Sequence, residues 1–232
     1  MPEPERLGTV LLCGASSGIG LAVAAHLAPR CRRLITSSRR PAAHGEWVPA
    51  DLRRVEQIEG LAQHLEGEPL DALLFLGGTW EREAFSERYS FEECSPEEIG
   101  DVLAVNLAAP IHLIQRLLPN LRAAQAAKIV VIGAALSGLD GQARPEVANG
   151  ASKHGLRGMV QALRQTLKRQ RIGISLIHPG WVATPEVLAD LEAAGQDPER
   201  TIPLEDLIRV IDCALALSNR SNLTEVDLTN QG

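Results

Sequence analysis

The sequence predicts one α/β domain in which a parallel β-sheet is covered by helices on both faces. Short apolar runs, several of them β-branched, alternate with longer amphipathic patterns along nearly the whole chain, which is typical of this fold class. The 232 residues suit one such domain, which would bury about 70–75% of its unfolded surface. We therefore treat residues 1–232 as a single domain, with the polar residues 1–7 as a flexible N-terminus.

Seven short runs are predicted to be strands, because they are too short for buried helices and are largely apolar. In chain order they are Thr9–Cys13, Leu34–Thr36, Trp47–Val48, Ala72–Leu76, Ile129–Ile132, Ile174–Ile177 and Val226–Leu228. Helical spacing of apolar residues follows Gly20 and recurs at Val55–Leu65, Pro96–Leu118, Ala151–Arg169 and Leu204–Leu217. Crossovers between parallel strands are right-handed, and ligands bind beyond the carboxyl ends of the strands. The informative residues should therefore follow the strands.

Composition and charge exclude several classes of partner and site. The net charge is −6 and no basic stripe is present, so nucleic acid is not expected as a partner. No run of about 18 apolar residues is present, so no membrane span is expected, and the polar segment Met1–Gly8 does not resemble a signal peptide. The four cysteines are scattered without metal-ligand spacing, which predicts reduced thiols and no metal site. We therefore expect a cytoplasmic protein.

A glycine-rich turn, Cys13-Gly14-Ala15-Ser16-Ser17-Gly18-Ile19-Gly20, joins the first strand to the first helix. Such a turn brings backbone N–H groups and the positive end of a helix to one point, which favours a phosphate group. Gly14 permits the sharp turn, Gly18 permits close approach of a pyrophosphate, and Gly20 permits close packing of the helix on the strand. A packing turn without a ligand is the alternative, and further matches downstream count against it.

The spacing Gly-x-x-x-Gly-x-Gly, with its Ser-Ser-Gly-Ile-Gly ending, resembles the short-chain dehydrogenase/reductase family, and the resemblance extends from Val10 to about Leu228. It implies a Rossmann-like, doubly wound sheet that binds NAD(P). It also implies hydride transfer between that cofactor and a small-molecule carbonyl or alcohol. The cofactor contacts that the resemblance implies in the turn are Gly14, Ser16, Ser17, Gly18, Ile19 and Gly20.

The residues after the second and third strands bear on the identity of the cofactor. Ser38 stands where NAD-preferring members of the family carry an acid, and Arg39 matches the arginine of NADP-preferring members. A guanidinium suits a 2′-phosphate through its bidentate geometry, so NADP(H) is expected over NAD(H); an exposed loop charge is the alternative for Arg39. Asp51-Leu52 resembles the family's pair beside the adenine. As an alternative, Asp51 caps the helix that begins near Val55.

Two further segments resemble cofactor-binding segments of the family. Phe75-Leu76-Gly77-Gly78 stands where the family has Asn-Asn-Ala-Gly, so the small pair is kept and the two bracing asparagines are lost. Pro179-Gly180-Trp181-Val182-Ala183-Thr184 matches the pattern Pro-Gly-x-Val-x-Thr, whose Val backbone and Thr hydroxyl contact the nicotinamide carboxamide in the family. The contacts implied by the two segments are Gly77, Gly78, Pro179, Gly180, Val182 and Thr184.

The catalytic positions of the family are only partly kept. Reduction of a carbonyl needs a proton donor and a group that holds the oxygen; the family uses a Tyr, a Lys four residues later, a Ser and an Asn. Lys153 and Asn106 match the Lys and the Asn. Asn149 stands in the Tyr position, and Ala135 or Ala134 stands in the Ser position. A carboxamide does not act as an acid or a base near neutral pH, so Asn149 does not replace the Tyr, and both proton-handling hydroxyls are lost.

Three explanations for this loss stay open. The chain is a natural non-catalytic member that still binds the dinucleotide, or a reductase in which these positions were substituted deliberately, or an enzyme with a substitute acid. The titratable residues near the site that would supply such an acid are Asp140, Glu146, His154 and His178. Separately, three functions stay open: an impaired NADP(H)-dependent oxidoreductase, a non-catalytic NADP(H)-binding protein or sensor, and a non-redox isomerase or lyase on the same fold.

Other segments bear on the substrate and on assembly. Val187–Pro203 matches the family's mobile substrate-covering loop, and the acidic segment Trp80–Cys94 clusters aromatic residues that form a pocket wall, an interface or a loop core. By resemblance, subunits pair through the helices at Pro96–Leu118 and Ala151–Arg169, which implies a homodimer or a homotetramer. The identity of the small-molecule substrate does not follow from the sequence.

Overall fold

The computed structural model describes residues 6–138, 141 and 143–231. Over these residues the strands are β1 (Leu7–Cys13), β2 (Cys31–Ser38), β3 (Glu46–Pro49), β4 (Ala72–Phe75), β5 (Lys128–Ile132), β6 (Gly173–Pro179) and β7 (Glu225–Leu228). β1 begins at Leu7, and residues 1–5 of the expected flexible N-terminus lie outside the described residues, as does the candidate acid Asp140.

The strands form one parallel sheet in the order β3-β2-β1-β4-β5-β6-β7. The chain moves outward from β1 to β3 and then outward in the opposite direction from β4 to β7. The predicted doubly wound parallel sheet is therefore confirmed. The direction changes between β1 and β4, and a crevice opens at the carboxyl ends of the strands at such a point.

Helices cover both faces of the sheet. Over the described residues they are α1 (Gly18–Leu27), α2 (Val55–His64), α3 (Pro96–Leu103), α4 (Ala109–Ala123), α5 (Val147–Leu167), α6 (Pro185–Ala193) and α7 (Leu204–Ala216). A π-helical segment, Ala104–Ala108, joins α3 to α4, so that the helix is continuous from Pro96 to Ala123.

The core consists of two apolar clusters, one on each face of the sheet. On one face, Leu11 of β1 packs in a cluster with Leu113 of α4 and with side chains of α2 and α5. On the other face, Leu12 of β1 packs in a cluster with Leu27 of α1 and Ile211 of α7. Successive side chains of a strand point to opposite faces. The strands are therefore apolar along their whole length, as the sequence indicated, and the site is left to the loops at their ends.

α5 begins at Val147, four residues before the predicted start at Ala151, so Asn149 lies in its first turn. The N–H groups at this end are bound by residues distant in sequence. Tyr89 Oη accepts from Val147 N at 3.1 Å, and Glu81 Oε1 accepts from the next two N–H groups at 2.7 and 3.2 Å. These tertiary contacts satisfy donors that a helix start leaves unpaired, and they give no local signal in the sequence.

α6 lies in the segment where a covering loop was expected, Val187–Pro203, and begins two residues before it. Thr184 caps this helix, because its Oγ1 accepts from Val187 N at 3.4 Å, and Pro185 occupies the first helical position. Threonine at the cap and proline at the next position both favour a helix start. The segment that resembles the family's covering loop is therefore helical as far as Ala193.

Among the described residues, the helix from Pro96 to Ala123 is the one that is long and apolar enough to cross a membrane by length and composition, with a mean hydropathy of 1.3. Its apolar side chains are used in the core, where Leu113, Leu117 and Leu121 are buried. A helix that packs on a parallel sheet needs a wide apolar face. Core packing therefore accounts for the hydropathy of this helix.

We predict that Gly20→Ala destabilises the fold, because the new Cβ would overlap the carbonyl oxygen of Gly14. A steric conflict of this kind costs on the order of 2 kcal/mol of the free energy of unfolding. Gly60→Ala is the matched control: it lies in α2 with open space around it and should gain about 0.5–1 kcal/mol through helix propensity. Urea unfolding followed by circular dichroism measures both variants, and equal stabilities would contradict the prediction.

Candidate active site

A cavity of about 900 Å³ lies at the carboxyl ends of the strands, where a doubly wound sheet is expected to bind a ligand. Arg39 and Asp51 line one end of it, and Lys153 and Asn149 line the other. The cavity brings together the following residues singled out from the sequence: Gly14, Ser16, Ser17, Gly18, Ile19, Gly20, Ser38, Arg39, Asp51, Leu52, Gly77, Gly78, Ala134, Ala135, Asn149, Lys153, Pro179, Gly180, Val182 and Thr184. Asn106 does not line it.

The glycine turn has the backbone geometry that a close crossing requires. Gly14 has a φ of +93°, and a Cβ there would lie 2.5 Å from the backbone of Gly77. The N–H of Gly14 donates to Ser37 O at 2.8 Å, which ties the turn to β2. Gly18, with a φ of +54°, begins α1, so its N–H lies at the positive end of that helix. The turn therefore fits an anionic group such as a pyrophosphate.

Ser38 and Arg39 lie at the β2 end of the cavity. Ser38 ends the strand, and its Oγ donates to the carbonyl oxygen of Arg40 at 2.7 Å. The carbonyl oxygen of Ser38 accepts from Trp47 Nε1 of β3 at 3.2 Å, so the end of β2 is held on both sides. Arg39 is exposed at the rim of the cavity. An exposed guanidinium on a well-held strand end suits a phosphate group that arrives from solvent.

Asp51 is bound by Arg53, a residue that the sequence analysis did not single out. Arg53 Nη2 lies 2.6 Å from Asp51 Oδ2, and Arg53 Nη1 lies 2.8 Å from Asp101 Oδ2. The hydrogen bonds from Arg53 lower the pKa of Asp51 to about 2, so its carboxyl group is ionised. Asp51 Oδ1 also accepts from Arg53 N at 3.1 Å, whereas α2 begins without a side-chain cap. The alternative role of Asp51 as a helix cap is therefore not observed.

Lys153 lies at the inner end of the cavity, with 6% of its surface exposed. Its Nζ donates to Ile132 O at 3.3 Å, and burial lowers the pKa of the amine to about 8. A Cβ at Gly78 would lie 3.7 Å from Lys153 Nζ and 3.6 Å from Asn106 Oδ1. The absence of a side chain at Gly78 therefore leaves room beside both polar groups.

Asn106 holds the loop after β4 against α5. It lies in the π-helical segment Ala104–Ala108, a type of irregularity that is frequent at functional sites. Its Oδ1 accepts from Thr79 N, and its Nδ2 donates to Thr79 O, both at 2.8 Å. The same Nδ2 donates to Ser152 Oγ at 3.1 Å. Asn106 therefore acts on the cavity by positioning Thr79 and α5.

The positions that correspond to the family's Tyr and Ser carry no hydroxyl group. Asn149 lies one helical turn before Lys153, on the same face of α5, and it lines the cavity together with Ala134 and Ala135. Asn149 is 1% exposed, and its Oδ1 has no hydrogen-bond partner among the described residues. Ser137 does not replace the missing serine, because its Oγ is buried outside the cavity lining and donates to Ala134 O at 2.9 Å.

Two of the candidate substitute acids are unsuited to the role. Glu146 accepts from Phe85 N at 2.8 Å and from Arg144 Nε at 3.2 Å. Burial acts to raise the pKa of Glu146, but the hydrogen bonds from Arg144 and Phe85 lower it overall, so the carboxyl group stays ionised. His154 is exposed and its Nδ1 contacts a carbonyl of its own helix. Neither residue lines the cavity.

His178 is fully buried and has a partner at each ring nitrogen. Its Nδ1 lies 3.1 Å from Ser137 Oγ, and its Nε2 lies 3.0 Å from Glu225 Oε1. This chain of contacts joins the loop after β5 to β6 and β7. Because that loop carries Ala134 and Ala135, His178 braces the wall of the cavity without lining it.

The segment Trp80–Cys94 supplies one wall of the cavity, which is one of the alternatives that the sequence left open. The rings of Trp80 and Phe85 meet edge to face, with centroids 5.9 Å apart. The guanidinium carbon of Arg144 lies 4.9 Å from the centroid of Phe85, within cation–π range. All three side chains line the cavity, so this wall combines apolar surface with one positive charge.

Glu81 belongs to the segment Trp80–Cys94 and was not identified from the sequence as a functional residue. It is 3% exposed, and its Oε1 accepts from Ala148 N and Asn149 N, as described for the start of α5. A carboxylate at the positive end of a helix is stabilising, and here it fixes the turn that carries Asn149. Its Oε2 is buried without a hydrogen-bond partner among the described residues. No local pattern pointed to Glu81, because the start of α5 was itself predicted too late.

α6 covers the cavity close to the glycine turn. Val187 and Leu191 of this helix line the cavity. Glu186, in the first turn of α6, accepts a hydrogen bond from Gly18 N, with 3.2 Å between Gly18 N and Glu186 Oε1. The segment that resembles a substrate-covering loop therefore does cover the cavity, although it does so as a helix.

Similarity to known proteins agrees with this arrangement. The family model described as short chain dehydrogenase matches residues 8–193. A ketoacyl reductase, HetN, of Nostoc sp. is 32% identical over 197 residues, which are 78% of this chain and 66% of that protein. A D-beta-hydroxybutyrate dehydrogenase of Cupriavidus necator is 26% identical over 214 residues, which are 87% of this chain and 80% of that protein.

Solved structures share the fold. A short chain dehydrogenase of Escherichia coli, complexed with NADPH, has a TM-score of 0.81 and 24% identity over 100% of both chains. One of Shigella flexneri, complexed with NADP, has a TM-score of 0.80 and 23% identity over 96% of this chain and 98% of that chain. At this identity the likeness shows the fold alone, and the family model supplies the assignment. With its doubly wound sheet, its glycine turn and that match, the chain belongs to the short chain dehydrogenase family.

Proposed function

We propose that this chain binds NADP(H) in the cavity and is an oxidoreductase scaffold with impaired turnover of a small-molecule carbonyl or alcohol. One observation carries the proposal: an intact glycine turn and Lys153 share a cavity with Asn149, Ala134 and Ala135. The groups that would hold a dinucleotide are kept, and the hydroxyls that would handle a proton are not. The chain is thus suited to binding more than to turnover.

Each part of the cavity has a counterpart in the cofactor. The glycine turn and the start of α1 would hold the pyrophosphate, and Arg39 would bind the 2′-phosphate. Lys153 would bind the ribose. Val182 and Thr184 would contact the nicotinamide carboxamide. When bound, the cofactor supplies or accepts a hydride. The preference for NADP(H) rests on exposed Arg39 and on Ser38, which leaves no carboxylate at the position that an NAD-specific site uses.

Proton transfer is the step that this chain serves poorly. Asn149 can donate a hydrogen bond to a substrate oxygen, but it cannot give up a proton near neutral pH. General acid catalysis contributes about 10²–10⁴-fold to such reactions, so we expect turnover to be lower by about that factor. Lys153, with a pKa of about 8, carries a positive charge near neutral pH, and that charge stabilises negative charge on a nearby oxygen.

A non-catalytic NADP(H)-binding protein or sensor is the second candidate, and one observation favours it. Neither of the positions that correspond to the family's Tyr and Ser carries a hydroxyl group, whereas the residues expected to contact the cofactor line the same cavity. The non-redox isomerase or lyase has no comparable arrangement in its favour among the described residues. Restoring a tyrosine at position 149 and a serine at position 135 or 134 separates the first candidate from the second.

The proposed assembly is a cytoplasmic homodimer or homotetramer that forms through α4 and α5. Ile111 of α4 is exposed, and Gly150 and Gly158 of α5 have open space where a side chain would be. Small residues allow a partner helix to approach closely, and an isologous contact suits a closed dimer. Free cysteines, two of them buried, agree with a reducing compartment.

Titration of the purified protein with NADPH should raise its melting temperature and enhance nicotinamide fluorescence, and NADH should bind more weakly. Arg39→Ala should weaken NADPH binding about tenfold, because one charge-assisted contact to the 2′-phosphate is lost. NADH serves as the internal control, since its affinity should change by less than about twofold. An equal loss for both cofactors would contradict the assigned role of Arg39, and no binding of either would contradict the proposed function.

Asn149→Tyr should raise the rate of NADPH oxidation in the presence of small ketones and aldehydes by about 10² or more, because it restores a proton donor four residues before Lys153. Asn149→Phe is the matched control, since it supplies the ring without the hydroxyl. Adding Ala135→Ser, or Ala134→Ser, to Asn149→Tyr should raise the rate further by holding the substrate oxygen. Equal rates for the Tyr and Phe variants across the substrate panel would instead favour the non-catalytic binding protein.

A further inference from the structure

The contact between Glu186 and the glycine turn joins two parts of the cavity that are 168 residues apart in the chain. Glu186 Oε1 lies 3.2 Å from Gly18 N, so the N–H of Gly18 donates to a carboxylate. The start of α6 lies directly over the turn, because a Cβ at Gly18 would be 4.0 Å from the methyl carbon of Thr184. α6 is thereby fastened to the first residue of α1.

The N–H that Glu186 engages is one that an anionic ligand would use. Gly18 begins α1, where unpaired N–H groups and the helix dipole together favour a negative charge. Carboxylates and phosphates compete for such donors because both are anionic acceptors. Glu186 is ionised when it makes this contact. A hydrogen bond from its own backbone N–H lowers the pKa of Glu186, and hydrogen bonds from Thr184 and Gly18 lower it further. Burial acts in the opposite direction but does not outweigh these hydrogen bonds.

We propose that Glu186 determines cofactor affinity by occupying the Gly18 N–H, so that the pyrophosphate must displace this carboxylate in order to bind. The inference rests on the proposed function, since it concerns the same cavity. Displacement of Glu186 would release the start of α6 from the glycine turn. Because Val187 and Leu191 of α6 line the cavity, the arrival of the cofactor would also change the wall that faces a substrate.

The proposal is tested by measuring the Kd for NADPH, by fluorescence titration, for the full chain and for Glu186→Gln. The variant keeps the shape of the side chain and removes its charge, so it should bind NADPH about threefold to tenfold more tightly. Glu192→Gln is the matched control: it removes the same charge from the same helix, at an exposed position outside the cavity lining. Its Kd should equal that of the unchanged chain.

Hydrogen exchange gives a second measurement that needs no cofactor. The Gly18 amide should exchange faster in Glu186→Ala, which removes the acceptor, than in the unchanged chain, and at the same rate as the unchanged chain in Glu192→Ala. An unchanged or larger Kd in Glu186→Gln, equal tightening in Glu186→Gln and Glu192→Gln, or unaltered exchange at Gly18 in Glu186→Ala would each overturn the proposal. If the unchanged chain binds neither NADPH nor NADH, the proposed function itself fails; if it binds NADPH with the same Kd as Glu186→Gln, only the role of Glu186 fails.

Discussion

The close crossing of the glycine turn and the loop after β4 is the contact on which the rest of the cavity depends. A Cβ at Gly14 would lie 2.5 Å from the backbone of Gly77, so two backbones pass at a distance that no side chain permits. This crossing lies where the strand order changes direction between β1 and β4. It brings the positive end of α1 into the crevice of the sheet. The start of α1 and the part of the cavity beside it are therefore set by the same few atoms.

The other end of the cavity depends on α5, whose start is fixed by residues from another segment of the chain. The first N–H groups of α5 bind Tyr89 and Glu81, which belong to the segment that also supplies the aromatic wall. Asn106 adds a second attachment through Thr79. Asn149 and Lys153 are thus placed by the loop after β4 as much as by their own helix. The aromatic wall and α5 are therefore joined by hydrogen bonds. A substitution that moves one of them is expected to move the other.

The sequence predicted the strands well because buried parallel strands are continuous apolar runs, and it predicted the cavity's glycines because few other residues suit such a turn. It did not point to Arg53, Glu81 or Glu186. Glu81 and Glu186 bind backbone groups 67 and 168 residues away, which leaves no periodicity to detect. The start of α5 was placed late for the same reason, since its capping partner is distant and Glu146 makes no side-chain cap. The start of α6, by contrast, has a local sequence signal, because Thr184 at the cap is followed by Pro185 at the first helical position. That signal was not used, because the segment was interpreted by its resemblance to the family's loop.

The π-helical segment between α3 and α4 changes the direction in which side chains point along one long helix. The N–H of Ala109 reaches back five residues to Ala104 O instead of four, so one extra residue is absorbed in a single turn. Each residue of an α-helix advances the side-chain direction by about 100°. The faces before and after the segment are therefore offset by about that angle, and Asn106 lies within the segment where the offset arises. Removing one residue there would restore a regular helix and rotate one of these two faces out of place, so the length of this stretch is constrained even where its side chains are not.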